Sequence, residues 1–225
     1  EITTRLVGSE MCIRDSRLIV QNHAQAEALR HSDRPVAILS RALIPFTPLH
    51  KVTRREGEKL RVLCNTCELN DADIELIHNL VRELASEVTW QVLGPLPAGW
   101  EPWIEEHYRY PGHEYYLPFL ASIDTDLAIV PRADTKFNRL KDNFCLLETA
   151  ACAIPALVSD VGSLQSHIPA IRVRNRKVDW LAAIRLAASE RSDLANFAHN
   201  ARHALQDSDW LTGEIINQHL HAWLP

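Results

Sequence analysis

Between Phe137 and Asp160 the chain reads FNRLKDNFCLLETAACAIPALVSD, and this stretch holds the residue types that grip a phosphorylated ligand. Asn138, Arg139 and Lys141 close a polar loop, Asp142 is placed to cap a helix, and Phe144, Leu147, Ala150 and Ala151 follow at helical spacing. Two cations opening onto a helix N-terminus favour an anion in two ways. The side chains neutralise it, Arg139 with bidentate geometry, and the free N–H groups of Asn143 and Phe144 face it with the helix dipole behind them. Glu148 lies six residues beyond that cap, one to two turns into the helix.

Such a site needs a rigid frame, and the flanking sequence supplies one. Pro155 stops the helix and Ala156 to Val158 form a short buried strand ending at Ser159-Asp160. Upstream, buried strands alternate with amphipathic helices. Leu60 to Cys64 is a strand, and the helix Ala72 to Ser86 carries Ile74, Ile77, Leu80, Val81 and Leu84 on one face. Strand Val88 to Leu93 ends at Gly94. A short helix Trp100 to Glu106, strand His107 to Pro111 ending in Gly112, helix Glu114 to Ile123 and strand Asp126 to Val130 then lead into the polar loop Pro131 to Leu140. This alternation predicts an α/β fold with a doubly wound parallel, Rossmann-like sheet. Ligands of such sheets sit outside the carboxyl ends of the strands. Asn65 and Thr66, Gly94, Tyr110 to Gly112 and the loop Arg132 to Lys141 are therefore expected to converge. Beyond Asp160 the pattern gives a turn from Gly162 to His167, strand Ile171 to Val173 and helices Val178 to Ser189, Asp193 to Leu205 and Trp210 to Trp223.

The motif residues Phe137-Asn138-Arg139, Lys141, Leu147-Glu148, Ala150-Ala151, Pro155 and Ser159-Asp160 resemble the donor-binding region of family 4-like, GT-B-fold glycosyltransferases, many of them bacterial enzymes of surface-polysaccharide assembly. The resemblance implies a glycosyltransferase of hexosyltransferase type. It would carry a sugar from a nucleotide-sugar donor to a saccharide or lipid-linked acceptor, without metal or other cofactor. It gives Glu148 the role of holding the donor ribose. With Asn138, Arg139, Lys141, Asn143 and Phe144 from the motif stretch, and Asn65, Thr66, Gly94 and Gly112 from the converging strand ends, Glu148 makes up the expected donor-binding set. The family's other glutamate falls at Leu140, and Asp142, Cys145, Thr149 and Ala153 replace the usual Ser, Lys, Tyr and Gly. Asp142 sets a carboxylate beside an expected diphosphate, and together with Leu140 it motivates the alternative of a degenerate, non-catalytic nucleotide-sugar-binding domain. The strand Arg17 to Val20, helix Ala24 to His31 and strand Val36 to Leu39 correspond to the end of the family's acceptor domain. The implied division is residues 17–40 for that remnant, 41–59 for a linker rich in Pro and mixed charge, 60–189 for the nucleotide-sugar domain, and 190–225 for helices packing back toward the first domain. The catalytic base belongs to the first domain in this family, so the chain by itself is expected to be inactive.

Residues 1–16 stand apart. Met11 to Ser16 reads as the translation of a sequencing-transposon end, and the segment is excluded as a fusion scar, which makes the chain an N-terminally truncated piece. A net charge of -5, from 24 basic and 29 acidic residues without long runs of either sign, argues against nucleic acid as a partner. No apolar run approaches membrane-spanning length and no signal peptide is visible, which suggests the cytoplasm, with peripheral membrane association open to the full-length enzyme.

A second class of function competes. Cys64-Asn65-Thr66-Cys67 is a CxxC at a strand end, the pattern of a thiol redox pair or half a zinc site. Asp124-Thr125-Asp126 has the form of a metal-binding DxD but precedes its strand, which favours a turn. His199 and His203 stand four apart on a helix without a recognisable third ligand.

Overall fold

The computed structural model describes residues 18–46 and 58–223. The segment read as a fusion scar and the charged middle of the expected linker lie outside the described residues. Strands β1 (Leu18–Val20) and β2 (Val36–Ile38) pair in parallel across helix α1 (His23–Ala28), which Asn22 caps by accepting from the Gln25 amide.

The main sheet has six parallel strands: β3 (Leu60–Asn65), β4 (Val88–Leu93), β5 (Glu106–Tyr108), β6 (Leu127–Val130), β7 (Ala156–Ser159) and β8 (Ile171–Val173), in the order β5-β4-β3-β6-β7-β8. The chain runs outward from β3 in one direction, then returns to build from β6 in the other. The strand order therefore reverses between β3 and β6, where the crossovers diverge and leave a crevice at the carboxyl edge. Every residue of β4 is buried, as expected of a strand covered on both faces.

Alternation along each strand divides the core in two. Val62, Cys64, Trp90 and Val92 face α2 (Asp71–Leu84) and α6 (Lys177–Ser189), meeting Ile77, Leu80, Trp180 and Ile184. Leu63, Leu93, Ala128 and Val158 face the opposite way, toward α3 (Tyr116–Ser122), α5 (Phe144–Ala151) and α7 (Arg191–His203). The layering is helices, sheet, helices. Helix α2 starts on a capping box in which Asn70 and Asp73 satisfy each other's amides. A short α4 (Lys136–Leu140) and a terminal α8 (Gly213–Trp223) complete the helices that matter for the site.

Four expectations are corrected. The stretch Trp100 to Glu106 is a turn rather than a helix. Trp100 is fully buried with its indole donating to His78 Nδ1 at 3.1 Å, and Glu106 joins β5. The polar loop before the motif helix contains α4, nucleated because Thr135 accepts from the Asn138 amide. Asn143 occupies the cap position of α5 without a side-chain bond, while Asp142, one residue earlier, accepts from the Phe144 amide at 3.3 Å. Within the expected linker, residue 43 is anchored to the segment before the last helix. Leu43 is fully buried, its amide donates to Asp209 O at 2.7 Å, and its carbonyl accepts from the Leu211 amide at 2.7 Å. That pairing also delays the last helix from the expected Trp210 to Gly213.

Ala153, which stands where the resembled family has glycine, sits at φ 49°, a left-handed conformation that L side chains resist. Replacing Ala153 by glycine is expected to stabilise the fold by roughly 0.5–1 kcal/mol, the relief of strain exceeding the added freedom of the unfolded chain. Urea midpoints of the two chains check it, and an unchanged or lower midpoint would refute the strain.

Candidate functional site

At the carboxyl edge of β3 lies a cavity of about 680 Å3, a volume suited to a small organic ligand. Its base is a hydrogen-bonded chain from three elements. Asn65, the last residue of β3, donates from Nδ2 to Tyr116 Oη at 2.7 Å, and Tyr116 Oη on α3 donates to Glu148 Oε2 on α5 at 3.3 Å. Glu148 is buried. Desolvation, reinforced by the Glu68 charge and opposed by Arg41, pushes its carboxyl up to about 8. Burial and the nearby Glu148 raise the Tyr116 phenol as well, so it stays protonated and donates. Pro95, Tyr110, His113 and Leu117 provide a largely apolar and aromatic surround.

Arg41 stands on the rim. Its guanidinium donates from Nε and Nη2 to the two oxygens of Asp142 at 2.7 and 2.8 Å and from Nη1 to Glu68 at 3.1 Å. Its carbon lies 4.3 Å from the centre of the Phe144 ring. Burial opposes its charge, but the bonds to Asp142 outweigh that penalty and Arg41 remains a cation. The charge of Asp142 is thereby offset in part at the entry of α5.

On the other side of Arg41 and Phe144 is a second cavity of about 510 Å3. Lys141, Arg139 and Asn143 line this one. Lys141 Nζ donates to Glu68 O at 2.6 Å and lies 3.6 Å from Asp73 Oδ2. Arg139 is exposed and held by Asp134 at 2.7 and 3.0 Å. Asn143 donates from Nδ2 to Gln165 O at 2.7 Å.

The expected residues thus divide. Asn65, Phe144 and Glu148 surround the first cavity; Arg139, Lys141, Asn143 and again Phe144 surround the second. Four others shape the loops. Asn138 is buried, its amide donating to Asp73 at 2.7 Å and Ala133 O at 2.8 Å while its oxygen accepts from Asn70, so its side chain joins α4 to α2 and is spent on that task. Thr66 bonds the carbonyls of Leu93 and Pro95 at 3.2 and 2.6 Å. Gly94 has φ 109°, and a Cβ there would fall 2.5 Å from Cys67 Sγ, so only glycine lets the two loops meet. Gly112 turns the chain, at φ 93°, into the short helix before α3. Reading the sequence missed Arg41, hidden in apparent linker, and Tyr116, hidden among the apolar residues of α3.

The thiol pair lacks the features of a redox centre. Cys64 is buried in β3 with its thiol pushed up to about 12 by desolvation, and burial and then Glu68 raise Cys67, whereas a reactive thiol is lowered. Asp126 accepts from the Arg61 amide at 2.9 Å and the Asp124 carbonyl from Arg61 Nε at 2.6 Å, fixing the turn at the amino end of β6. His199 and His203 stack with ring centres 4.2 Å apart. Among the described residues no cluster of three or more His, Cys, Asp or Glu side chains could hold a metal ion, and no helix is long and apolar enough to cross a membrane.

An open six-stranded parallel sheet reversing at β3 and β6, with its crevice at the carboxyl edge, is the α/β arrangement of GT-B glycosyltransferases, and the chain has that fold. It is similar to the structure of TarM, with a TM-score of 0.63 at 13% identity over 93% of this chain and 43% of that one. For sucrose-phosphate synthase from Thermosynechococcus elongatus the TM-score is 0.60 at 14% identity, over 90% of this chain and 56% of that one. For Anabaena HepE in complex with UDP and glucose it is 0.63 at 12% identity, over 92% and 62%. The chain thus spans 43 to 62% of the length of these structures. Neither protein-family models nor curated protein sequences match it.

Proposed function

We propose that the chain provides the nucleotide-sugar donor site of a family 4-like glycosyltransferase. The observation that carries this reading is the placement of Glu148, Asn65 and Tyr116 in an aromatic-walled cavity whose rim is formed by Arg41 and the start of α5. A nucleoside fits the cavity, with Glu148 accepting from its ribose hydroxyls and Tyr110 beside its base. The diphosphate falls at the rim, against Arg41 and the first amides of α5. These stabilise the charge that grows on the leaving diphosphate, without calling on a metal. HepE, of the same fold, is known in complex with UDP and with UDP-glucose, which supports a donor of this class.

Arg41 offsets the charge of Asp142 only in part, because its guanidinium is shared between Asp142 and Glu68 and a diphosphate would compete with both; that competition favours the second reading, a non-catalytic nucleotide-sugar binder. A saccharide or lipid-linked acceptor, polysaccharide or glycoconjugate synthesis and a cytoplasmic setting belong to the same proposal. The proton acceptor for the attacking hydroxyl is assigned to an acceptor domain of a longer protein, so binding without multiple turnover is expected of this chain alone. Calorimetric titration with UDP, GDP and dTDP tests the donor site. Saturable binding of one of them, weakened at least about tenfold by Glu148→Ala, supports it, a loss equal to about 1.4 kcal/mol. No binding of any of the three would overturn it, and multiple turnover would overturn the assignment of the base elsewhere.

A further inference from the structure

His199 and His203 stand about one turn apart on α7, so both rings leave the helix on one side. Their centres are 4.2 Å apart and their planes are inclined at 59°. Both residues are exposed. Four other histidines engage a ring nitrogen with a protein partner: His78 with the Trp100 indole, His107 with Gly94 O, His113 with Tyr110 Oη and His167 with Asp209. The rings of the α7 pair have no hydrogen-bond partner among the described residues.

The backbone that carries the pair is fixed from its other side. Leu194, Ala198 and Ala201 bury the opposite face of α7 in the core. The Arg202 guanidinium donates to Ala151 O at the end of α5, and the Ala204 amide closes the last turn on Asn200 O at 3.0 Å. Little order remains to be imposed on the two imidazoles before they could act together.

Neutral imidazole is a ligand for divalent transition metals, and two of them four residues apart on one helix face can hold a single ion. Ring spacing discriminates among metals. With metal-to-nitrogen bonds of about 2.1 Å, two imidazoles at a right angle have ring centres roughly 4.5 Å apart, and at the tetrahedral angle roughly 5.2 Å. The observed 4.2 Å lies nearer the first value, the angle of octahedral or square-planar coordination and not of four-coordinate zinc.

We propose that His199 and His203 form a two-histidine chelate for a divalent ion of the nickel or copper kind, with water completing its coordination. Exposure of the pair leaves room for that water. Neither residue lines the cavities at the carboxyl edge, and the inference does not depend on the donor reading.

Calorimetric titration of the full chain, free of added histidines, with NiCl2 and with ZnCl2 tests it. Nickel is the better probe because copper also reacts with thiols such as exposed Cys67. One equivalent of Ni2+ is expected to bind saturably, at least about fivefold more tightly than Zn2+, since the intrinsic order of affinity and the ring spacing act in the same direction. His199→Ala and His203→Ala are each expected to weaken Ni2+ binding by at least about tenfold, because loss of either ring breaks the chelate. Both substitutions fall on exposed helix, where alanine is the most favoured residue, so the variants keep the fold. Absence of saturable Ni2+ binding in the unaltered chain overturns the inference without any variant. Unchanged Ni2+ affinity in either variant overturns it as well, because the ion is then held elsewhere. Zn2+ bound as tightly as Ni2+ overturns the assignment of the metal.

Discussion

Glu148→Gln is expected to melt on the order of 10–20 °C above the parent chain at pH 9, and within about 2 °C of it at pH 4.5. The sign follows from the raised carboxyl. Its value in the fold is about 8 against 4.5 for the free group. Below the free value both folded and unfolded chains hold the proton, and the group is neutral to stability. Between the two values the folded chain retains a proton that the unfolded chain has lost, so stability falls as pH rises. Above the folded value the loss is complete, roughly 5 kcal/mol for a shift of this size. Glutamine keeps the shape and the acceptor for Tyr116 and removes the charge that has to be buried. Thermal melts at the two pH values decide it. A gain of the same size at both would show that the carboxyl titrates normally in the fold. Under the proposed function the same variant loses affinity for the nucleotide, because the ionised form is the stronger acceptor for ribose hydroxyls.

Arg41→Ala is expected to cost about 2–3 kcal/mol of stability, less than a wholly buried pair because the Arg41 side chain is 33% exposed. Asp142 is then left in a site only 13% exposed, without the two bonds that had compensated it. Most of the cost lies in that stranded carboxylate, so Asp142→Asn added to Arg41→Ala should recover about half of it. Denaturant midpoints for the two single variants and the double variant close the cycle. Strict additivity would mean that the pair does not act as one. Binding separates the members in the opposite sense. Asp142→Asn alone frees the guanidinium and should tighten nucleotide binding, whereas Arg41→Ala should weaken it by at least about tenfold if Arg41 meets the diphosphate.

Much of the fold was legible because it follows from one-dimensional pattern. The alternating apolar residues Val88, Trp90 and Val92 of β4, the spacing of Ile77, Leu80, Val81 and Leu84 in α2 and the punctuation at Pro155 each act over a few residues, and the elements form where those signals lie. The sequence pattern failed where tertiary contact decides the outcome. Trp100 to Trp103 has helical composition, but burying the Trp100 indole against His78 leaves only a turn. Asp142 does accept from the Phe144 amide, the first of α5, at 3.3 Å, but a guanidinium from a hundred residues upstream shares its oxygens and the cap position itself passes to Asn143.

The candidate site was legible in the same uneven way. Glu148 and the motif around it could be found because one short stretch carries them. Arg41 could not, because its neighbours in sequence are proline and mixed charge, and only the fold brings it to Phe144.

The two hydrogen bonds that join Leu43 to Asp209 and Leu211 enclose the whole six-stranded sheet between their partners. A contact of such sequence separation has to wait until every intervening crossover has been laid down, so it is the closing stitch of assembly. It can part while the sheet stays intact, and β1, α1 and β2 come free only when the bonds of Asn22 and Gln25 to Leu140 O and of Arg41 to Asp142 open as well. Deuterium uptake at the Leu43 and Leu211 amides would then run ahead of uptake in β4, an order of opening written into the path of the chain.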